Sequence, residues 1–175
     1  MNFVKFQDLV EKRPGFRSME NAMASGDYFS DSCGDMYTYF VKVAPGDILA
    51  DVSYFTTGCG FGTATCSLLV GLSLGKTLDE AYAISEAQIE AELGGYPEKK
   101  KDYPERSLSA LRTAIDAFRA KRAAGQITDE MMERARAEAA VATAATTAGN
   151  GKTSQDDGNA PHVAAGDGKV LIKLR

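Results

Sequence analysis

The chain has 175 residues, a formal net charge of −4 and 44% hydrophobic residues, which suits one compact domain with extensions. Its acidic balance argues against nucleic-acid binding, because a phosphate-binding surface needs an excess of Lys and Arg. No apolar run approaches the roughly 20 residues that cross a bilayer, and the first residues lack the basic-then-apolar pattern of a secretory signal. We therefore expect a cytoplasmic protein that binds neither nucleic acid nor membrane.

The chain contains three cysteines, Cys33, Cys59 and Cys66, and one histidine, His162. An odd number of cysteines in a reducing compartment argues against a disulfide framework. Two of the cysteines stand beside glycines, which fits metal or sulfur chemistry better than structural bridging. Because His162 lies far along the chain in a polar tail, neither Ser–His–Asp nor Cys–His catalysis is expected. The sequence therefore predicts a protein that is not an enzyme.

A β-hairpin is the clearest local structure that the sequence predicts. Residues 36–43 are mostly β-branched and aromatic, residues 44–47 form a Pro-Gly turn, and residues 48–55 alternate in the manner of a half-buried strand. Residues 25–31 fit either a first strand or a loop. Ahead of them, apolar residues at helical spacing predict a short N-terminal helix with Asn2 as its N-cap.

Helices dominate the chain after the hairpin. One follows the glycine-rich residues 57–62 and ends at Gly75, and capping boxes that begin at Thr77 and Ser85 start two short helices. An apolar stripe predicts a longer helix after Pro104, and a final helix starts near residue 128 and dissolves from Ala144 onward.

These elements predict an α+β fold, a small antiparallel sheet with helices packed on one face, plus a C-terminal helical extension. We divide the chain into an N-terminal helical segment (1–24), a central domain (25–124), an Ala-rich helical extension (125–149) and a flexible tail (150–175). Residues 150–168 have little to bury and are expected to be disordered, and residues 170–174 form an isolated apolar patch.

The hairpin brings two of the cysteines towards each other. A regular register about a turn centred on Gly46 places Cys33 opposite Cys59, and opposed Cα atoms lie about 4.5–5.5 Å apart. The carboxylate of Asp35 belongs to the same end of the hairpin. Cys59 also precedes a predicted helix, whose partial positive charge favours a thiolate. Thiolates select iron–sulfur units, zinc or copper(I), and a carboxylate in the ligand shell is compatible with iron or zinc.

These cysteines have plainer interpretations as well. A cysteine beside a glycine in a loop is often only a small residue in a tight turn, and the spacing alone leaves this interpretation open for Cys33 and Cys59. For Cys66, which lies inside an apolar helix, a buried cysteine that packs in the core is the favoured interpretation.

Three motifs follow one another along the chain: Ser32-Cys33-Gly34-Asp35, then Thr57-Gly58-Cys59-Gly60 after the hairpin, then Gly75-Lys76-Thr77-Leu78-Asp79-Glu80-Ala81. In order and spacing they resemble the IscU/NifU-type family of iron–sulfur cluster assembly scaffolds. The resemblance covers roughly residues 25–118, so it implies that residues 25–124 are a scaffold-like domain. It also implies a 2Fe–2S cluster assembled from iron and from sulfur supplied by a cysteine desulfurase, and then passed to recipient proteins.

The resemblance assigns roles to three residues and leaves one position unmatched. Carried over by position, Cys33 is the first ligand, Asp35 is the aspartate that makes the cluster easy to release, and Cys59 is the second cysteine ligand. Where the family has His-Cys before its last long helix, this chain has Asp102-Tyr103. The Leu-Pro-Pro-Val-Lys segment of some members is replaced here by Tyr-Pro-Glu-Lys-Lys at residues 96–100.

Three arrangements would complete the ligand set. A homodimer could hold one cluster with two cysteines from each subunit, or Asp102 could supply an oxygen ligand. Cys66 ranks behind both, because two helical turns separate it from Cys59 by about 10 Å. The preferred function is transient binding of a 2Fe–2S cluster or iron. The alternatives are a regulatory or metal-binding interaction module that keeps the fold and holds zinc or iron, and a sulfur carrier that accepts persulfide on Cys59.

Overall fold

A computed structural model describes residues 1–31 and 33–149 of the chain, with side chains as far as residue 144. Its strands are β1 (Ala24–Ser30), β2 (Asp35–Ala44) and β3 (Ile48–Thr56). Its helices are α1 (Phe3–Lys12), α2 (Gly60–Ser73), α3 (Leu78–Tyr82), α4 (Glu86–Leu93), α5 (Tyr103–Ala123) and α6 (Asp129–Gly149), with a short 3-10 helix at Glu98–Lys100. The predicted α+β fold is confirmed.

The strands form one antiparallel sheet in the order β1-β2-β3. The predicted hairpin is β2–β3, and the segment that fitted either a strand or a loop is β1, which pairs with β2 along its whole length. A β-bulge between Lys42 and Val43 shifts the β2–β3 register by one residue. Residue pairs beyond the bulge therefore differ from those of a regular hairpin.

One face of the sheet packs against α2 and α5. Tyr39 and Tyr54 point into this interface and are fully buried. The Tyr39 hydroxyl lies 2.6 Å from Ser107 Oγ of α5, and the Tyr54 hydroxyl lies 2.6 Å from Ser67 Oγ of α2. Because a buried hydroxyl without a partner costs about 1–3 kcal/mol, these pairs favour one position of each helix along the sheet.

The backbone of helix α5 approaches the backbone of the sheet closely at Gly26 of β1. A Cβ at this position would lie 2.1 Å from the Ala114 backbone nitrogen and 2.6 Å from the Ala110 carbonyl oxygen. Only glycine allows the two backbones to come this close. The contact fixes α5 against β1, and it therefore fixes where the first turn of α5 lies relative to the loop that follows β1.

The predicted helix ends are largely confirmed. Thr77 and Ser85 each form a complete capping box, and Asn2 accepts a hydrogen bond from the first turn of α1. Helix α4 ends at Gly94, which adopts the left-handed conformation that favours glycine. These local signals need no tertiary contact, which is why the sequence is sufficient to find them.

Helix α6 crosses the opposite face of the sheet. The side chain of Lys42 points away from α2 and α5 and forms an ion pair of 2.5 Å with Glu138. Met132 and Ala135 of α6 are buried, and they belong to the same hydrophobic cluster as the core residues of the sheet, α2 and α5. The helix continues to Gly149, so the prediction that it dissolves from Ala144 is wrong. Alanine is the strongest helix former, and an Ala-rich run extends a helix that is already docked.

The predicted boundary between residues 124 and 125 stays a prediction. The predictions for residues 150–175, which concern disorder and a terminal apolar patch, lie outside the described residues. Within the part of the chain that the structure describes, no helix combines the length and apolar character needed to cross a membrane.

Replacing Gly26 with alanine is expected to destabilise the protein by about 3 kcal/mol, because the new Cβ must push the backbones of β1 and α5 apart. The matched control is Gly71→Ala in α2, where an added Cβ has nothing within 4 Å. That substitution should stabilise the helix by up to about 1 kcal/mol. Urea unfolding followed by circular dichroism measures both changes, and a Gly26→Ala variant as stable as the parent would contradict the close approach.

Truncating Met132 to alanine is expected to destabilise the protein by about 2–3 kcal/mol, since it leaves a cavity between α6 and the sheet. Val141→Ala on the same helix is the control, because Val141 is 71% exposed and its truncation should change stability by no more than about 0.5 kcal/mol. If both variants unfold at the urea concentration of the parent, α6 does not depend on packing against the sheet.

Candidate functional site

The candidate site lies at the end of the sheet opposite the Gly46 turn. Three segments meet there: the β1–β2 loop, the β3–α2 loop and the first turn of α5. We call this region the site rim. Cys33 is exposed in the first of these loops, and its Sγ lies 3.1 Å from Asp35 Oδ2 and 3.3 Å from Ser30 Oγ. An oxygen donor therefore stands directly beside the first thiol.

Arg106 ties the Cys33 loop to helix α5. Its guanidinium donates a hydrogen bond of 2.6 Å to Cys33 Sγ and forms an ion pair with the Asp102 carboxylate one turn earlier. The side chain is only 8% exposed, and it also lies over the Tyr103 ring, with 5.0 Å between Cζ and the ring centroid. A buried guanidinium needs polar or anionic partners. Arg106 thus brings a fixed positive charge to the rim.

Cys59 is the N-cap residue of α2 and is exposed. Its Sγ lies 3.2 Å from the Tyr103 hydroxyl, which in turn accepts a hydrogen bond of 3.1 Å from Lys100 Nζ. Partial burial raises the pKa of the Cys59 thiol, but the Tyr103 hydroxyl, the first backbone N–H groups of α2 and the Lys100 charge outweigh it. The net result is a thiol pKa below the ordinary value, which favours the thiolate.

Gly58 lets the second loop close onto the first. A Cβ at Gly58 would lie 3.2 Å from the Tyr37 hydroxyl and 3.4 Å from Asp35 Oδ2. Any larger residue would press on both groups. The absence of a side chain here keeps the β3–α2 loop, and with it Cys59, against the carboxylate that stands beside Cys33.

The predicted pairing of Cys33 with Cys59 across the hairpin is wrong in its register. The bulge shifts the ladder by one residue, and the ladder ends at the Tyr37–Thr56 pair, before either cysteine. Both thiols nevertheless belong to the loops of the site rim. The reason is the loop geometry around Gly58 rather than direct opposition in the ladder.

Cys66 is confirmed as a buried core residue. It is fully buried inside α2, burial raises the pKa of its thiol to about 11, and the Ser107 hydroxyl lies 3.5 Å from its sulfur. Cys66 lies about two helical turns after Cys59, a distance of about 10 Å along the helix axis. This position does not favour Cys66 as a ligand at the rim. The carboxylate of Asp102, the other candidate from within the chain, is engaged by Arg106.

Within residues 1–31 and 33–149, no three side chains of His, Cys, Asp or Glu lie close enough together to hold one metal ion. Cys33, Asp35 and Cys59 therefore do not converge on a single point. The donor atoms instead form two pairs, Cys33 with Asp35 and Cys59 with Tyr103. A single zinc site needs four convergent ligands, and this geometry does not favour one.

Sequence reasoning missed Tyr103 and Arg106 as residues of the rim. The sequence holds a signal for Tyr103, because the resemblance sets Asp102-Tyr103 where the family has His-Cys, but nothing in the pattern indicates that the Tyr103 hydroxyl contacts Cys59. Arg106 lies three residues further along α5, on the same helix face. Its role depends on a buried contact with Cys33 that no local pattern indicates.

Aromatic packing holds Tyr103 in place. The Tyr103 residue is only 3% exposed, and its ring centroid lies 6.2 Å from that of Phe61 in α2. Phe61 also contacts Phe6 of α1, with 4.8 Å between ring centroids. Helix α1 thus supports the rim through Phe61, and the Tyr103 hydroxyl has little freedom to move away from Cys59.

The fold and the rim define a small α+β domain that displays two exposed thiols at one end of its sheet. Residues 11–125 match the family of NifU-like N-terminal domains, which is more than half of the chain. The chain therefore belongs to the NifU-like N-terminal domain family.

The chain is similar to several named proteins. The iron-sulfur cluster assembly scaffold protein IscU 1 of Archaeoglobus fulgidus is 35% identical over 102 residues, which are 58% of this chain and 66% of that protein's length. The scaffold protein IscU of Escherichia coli is 33% identical over 109 residues, which are 62% of this chain and 84% of that protein. The crystal structure of the N-terminal part of a NifU-like protein from Brucella abortus is 18% identical, with a TM-score of 0.43, and covers 77% of this chain and 92% of that one.

Replacing Tyr103 with phenylalanine is expected to raise the pKa of the Cys59 thiol, because the ring stays while the hydrogen-bonding hydroxyl is lost. The pH at which iodoacetamide labelling of Cys59 reaches half its maximal rate should move upward, and labelling at neutral pH should slow. Peptide mapping by mass spectrometry measures the rate, with Tyr96→Phe as the control. A pH profile of the Tyr103→Phe variant that superimposes on that of the parent would contradict the role of the hydroxyl.

Proposed function

We propose that this chain is a scaffold for iron–sulfur cluster assembly, which holds a 2Fe–2S cluster or its iron transiently at the site rim and passes it to recipient proteins. The observation that carries the proposal is the pair of exposed thiols, each next to an oxygen donor, in a chain of the NifU-like N-terminal family. No organic substrate is turned over, so the proposed protein is a carrier and not an enzyme.

The chemistry of the rim supports binding that is specific but reversible. Thiolates such as those of Cys33 and Cys59 prefer iron–sulfur units, whereas carboxylate oxygen is a harder ligand that holds such a unit less firmly. Asp35 is therefore the weakly bound ligand that a recipient protein can displace when it takes over the cluster. Arg106 and Lys100 place two positive charges beside the anionic donors, and such neighbours tune the charge and stability of a bound cluster.

The proposed partners follow from this chemistry. Sulfur must come from a protein that delivers sulfane sulfur, for which a cysteine desulfurase is the expected donor, and the cluster must leave to a recipient with a stronger ligand set. These reactions belong to a reducing compartment, so we place the protein in the cytoplasm. Zinc also binds thiolates, so protein isolated without its cluster is expected to take up zinc. The two donor pairs favour a two-metal unit over a single ion.

A sulfur carrier is the second candidate function. The observation that favours it is the exposed Cys59 thiol at the N-terminus of α2, 3.2 Å from the Tyr103 hydroxyl that Lys100 also contacts. The thiolate would attack the outer sulfur of a donor persulfide, so that a new sulfur–sulfur bond forms on Cys59 and the donor cysteine leaves as a thiolate. Such a carrier would hold sulfur without iron.

Anaerobic reconstitution with iron and sulfide tests the proposal. A scaffold should develop the visible absorption of a 2Fe–2S cluster, with iron and acid-labile sulfide in equal amounts. Two irons per chain indicate one cluster per monomer, and one iron per chain indicates a cluster shared across a homodimer. Cys59→Ala should abolish the absorption, whereas Cys66→Ala should retain it, because Cys66 is buried away from the rim.

Other results of the same experiment separate the alternatives. Colourless protein with stoichiometric zinc, and no cluster under any iron concentration, would exclude the scaffold and support the metal-binding module. Sulfane sulfur on Cys59 without iron would support the carrier. A full cluster in Cys59→Ala would remove the rim as the binding site.

A further inference from the structure

We propose that Tyr103 is a cluster ligand, whose phenolate oxygen binds the same iron as Cys59 while Cys33 and Asp35 bind the second iron. The inference rests on the proposed scaffold function and extends it to a residue that the family pattern does not assign. It replaces the missing third cysteine with an oxygen donor from the same position in the chain.

The distances within each pair fit two ligands on one metal atom. Sulfur and oxygen ligands that stand about 2.3 Å and 2.0 Å from a tetrahedral metal ion lie about 3.5 Å from each other. Cys59 Sγ and Tyr103 Oη are 3.2 Å apart, and Cys33 Sγ and Asp35 Oδ2 are 3.1 Å apart. Each pair needs to open only by a few tenths of an ångström to accept iron.

The arrangement in pairs also matches the needs of a binuclear cluster. Each iron of a 2Fe–2S cluster has two bridging sulfides and two protein ligands, and the two irons can carry different ligand types. A single ion would require three or four donors at one point, which the described residues lack among His, Cys, Asp and Glu. The two thiol–oxygen pairs at the site rim supply four donors from one chain, which is the number that a 2Fe–2S cluster takes from protein.

Burial and the hydrogen bond with Cys59 raise the pKa of the free Tyr103 phenol, so the proton leaves only when a metal ion takes its place. Lys100 Nζ lies 3.1 Å from the hydroxyl oxygen and presents a positive charge to it. Binding iron releases the phenol proton and the Cys59 thiol proton to solvent, and the Lys100 charge offsets part of the negative charge that remains. Iron accepts tyrosine oxygen elsewhere, as the haem iron of catalase shows.

The other candidates for the fourth ligand fit less well. Cys66 is fully buried inside α2, and the Asp102 carboxylate contacts Arg106 rather than the sulfur of Cys59 or Cys33. Tyr103, in contrast, is already in contact with the sulfur of Cys59, and its ring is fixed between Phe61 and Arg106. A donor that is held in place by packing loses little freedom when it binds the metal.

The test uses the full chain reconstituted anaerobically with ferric iron and sulfide. The expected result is a phenolate-to-iron charge-transfer band, with phenolate vibrations enhanced in the resonance Raman spectrum. Tyr103→Phe should lose these vibrations, and a chelator should remove its iron about tenfold faster or more, since even residues that only support a ligand contribute about 10–100-fold to affinity. Tyr82→Phe is the control, because the Tyr82 hydroxyl bonds to Asp116 away from the rim.

A second variant keeps the test decisive if Tyr103→Phe folds poorly. Tyr103→Cys places a thiolate near the same position, so it should bind a cluster that lacks phenolate vibrations and resists the chelator longer than the parent. A parent cluster without phenolate vibrations, whose lifetime is unchanged in Tyr103→Phe, overturns the ligand role and leaves the scaffold function standing. A parent chain that binds no cluster at all overturns both.

Discussion

The contact between the backbones of β1 and α5 at Gly26 is the constraint on which the site depends. A helix normally stands off a sheet by the length of its side chains, but here the added Cβ of any other residue would meet backbone atoms of α5 at 2.1 Å. This contact brings the first turn of α5 beside the loops at the end of the sheet. The same helix then supplies Tyr103 to Cys59 and Arg106 to Cys33. A shift of α5 by a fraction of a turn would separate both pairs.

The buried hydroxyl groups add a second constraint. They fix the position of α2 and α5 along the sheet, whereas the Gly26 contact fixes the distance between α5 and β1. Tyr39 reaches Ser107 of α5, and Tyr54 reaches Ser67 of α2. Unpaired, each of these buried groups would cost about 1–3 kcal/mol. Sliding either helix along the sheet would break such a pair, so the polar network and the glycine contact together define the position of the rim. The two exposed thiols are anchored to these elements through Arg106 of α5 and through the first turn of α2.

The sequence predicts those features that depend on neighbouring residues. The hairpin strands, the caps at Thr77 and Ser85 and the end of α4 at Gly94 all follow from patterns within a few residues. The register beyond Lys42 could not be found in this way, because the bulge depends on how two strands twist against the rest of the sheet. For the candidate site, the motifs predict Cys33, Asp35 and Cys59, and the structure places the two cysteines in the loops of the rim and Asp35 at the start of β2. Sequence reasoning missed Arg106, whose contact with Cys33 spans the fold, and it treated Tyr103 only as a departure from the family.

Exchanging a cysteine for a tyrosine changes the balance between holding and releasing a cluster. In the proposed ligand set each iron has one thiolate and one oxygen donor, whereas a set rich in cysteine offers the soft ligands that iron–sulfur units prefer. The oxygen donors weaken the hold on both irons, and the nearby Arg106 and Lys100 limit the negative charge that would otherwise build up at the rim. A recipient with thiolate ligands then gains affinity at every exchange step. A scaffold built in this way favours transfer over storage, because its oxygen ligands hold the two irons less firmly than thiolates would.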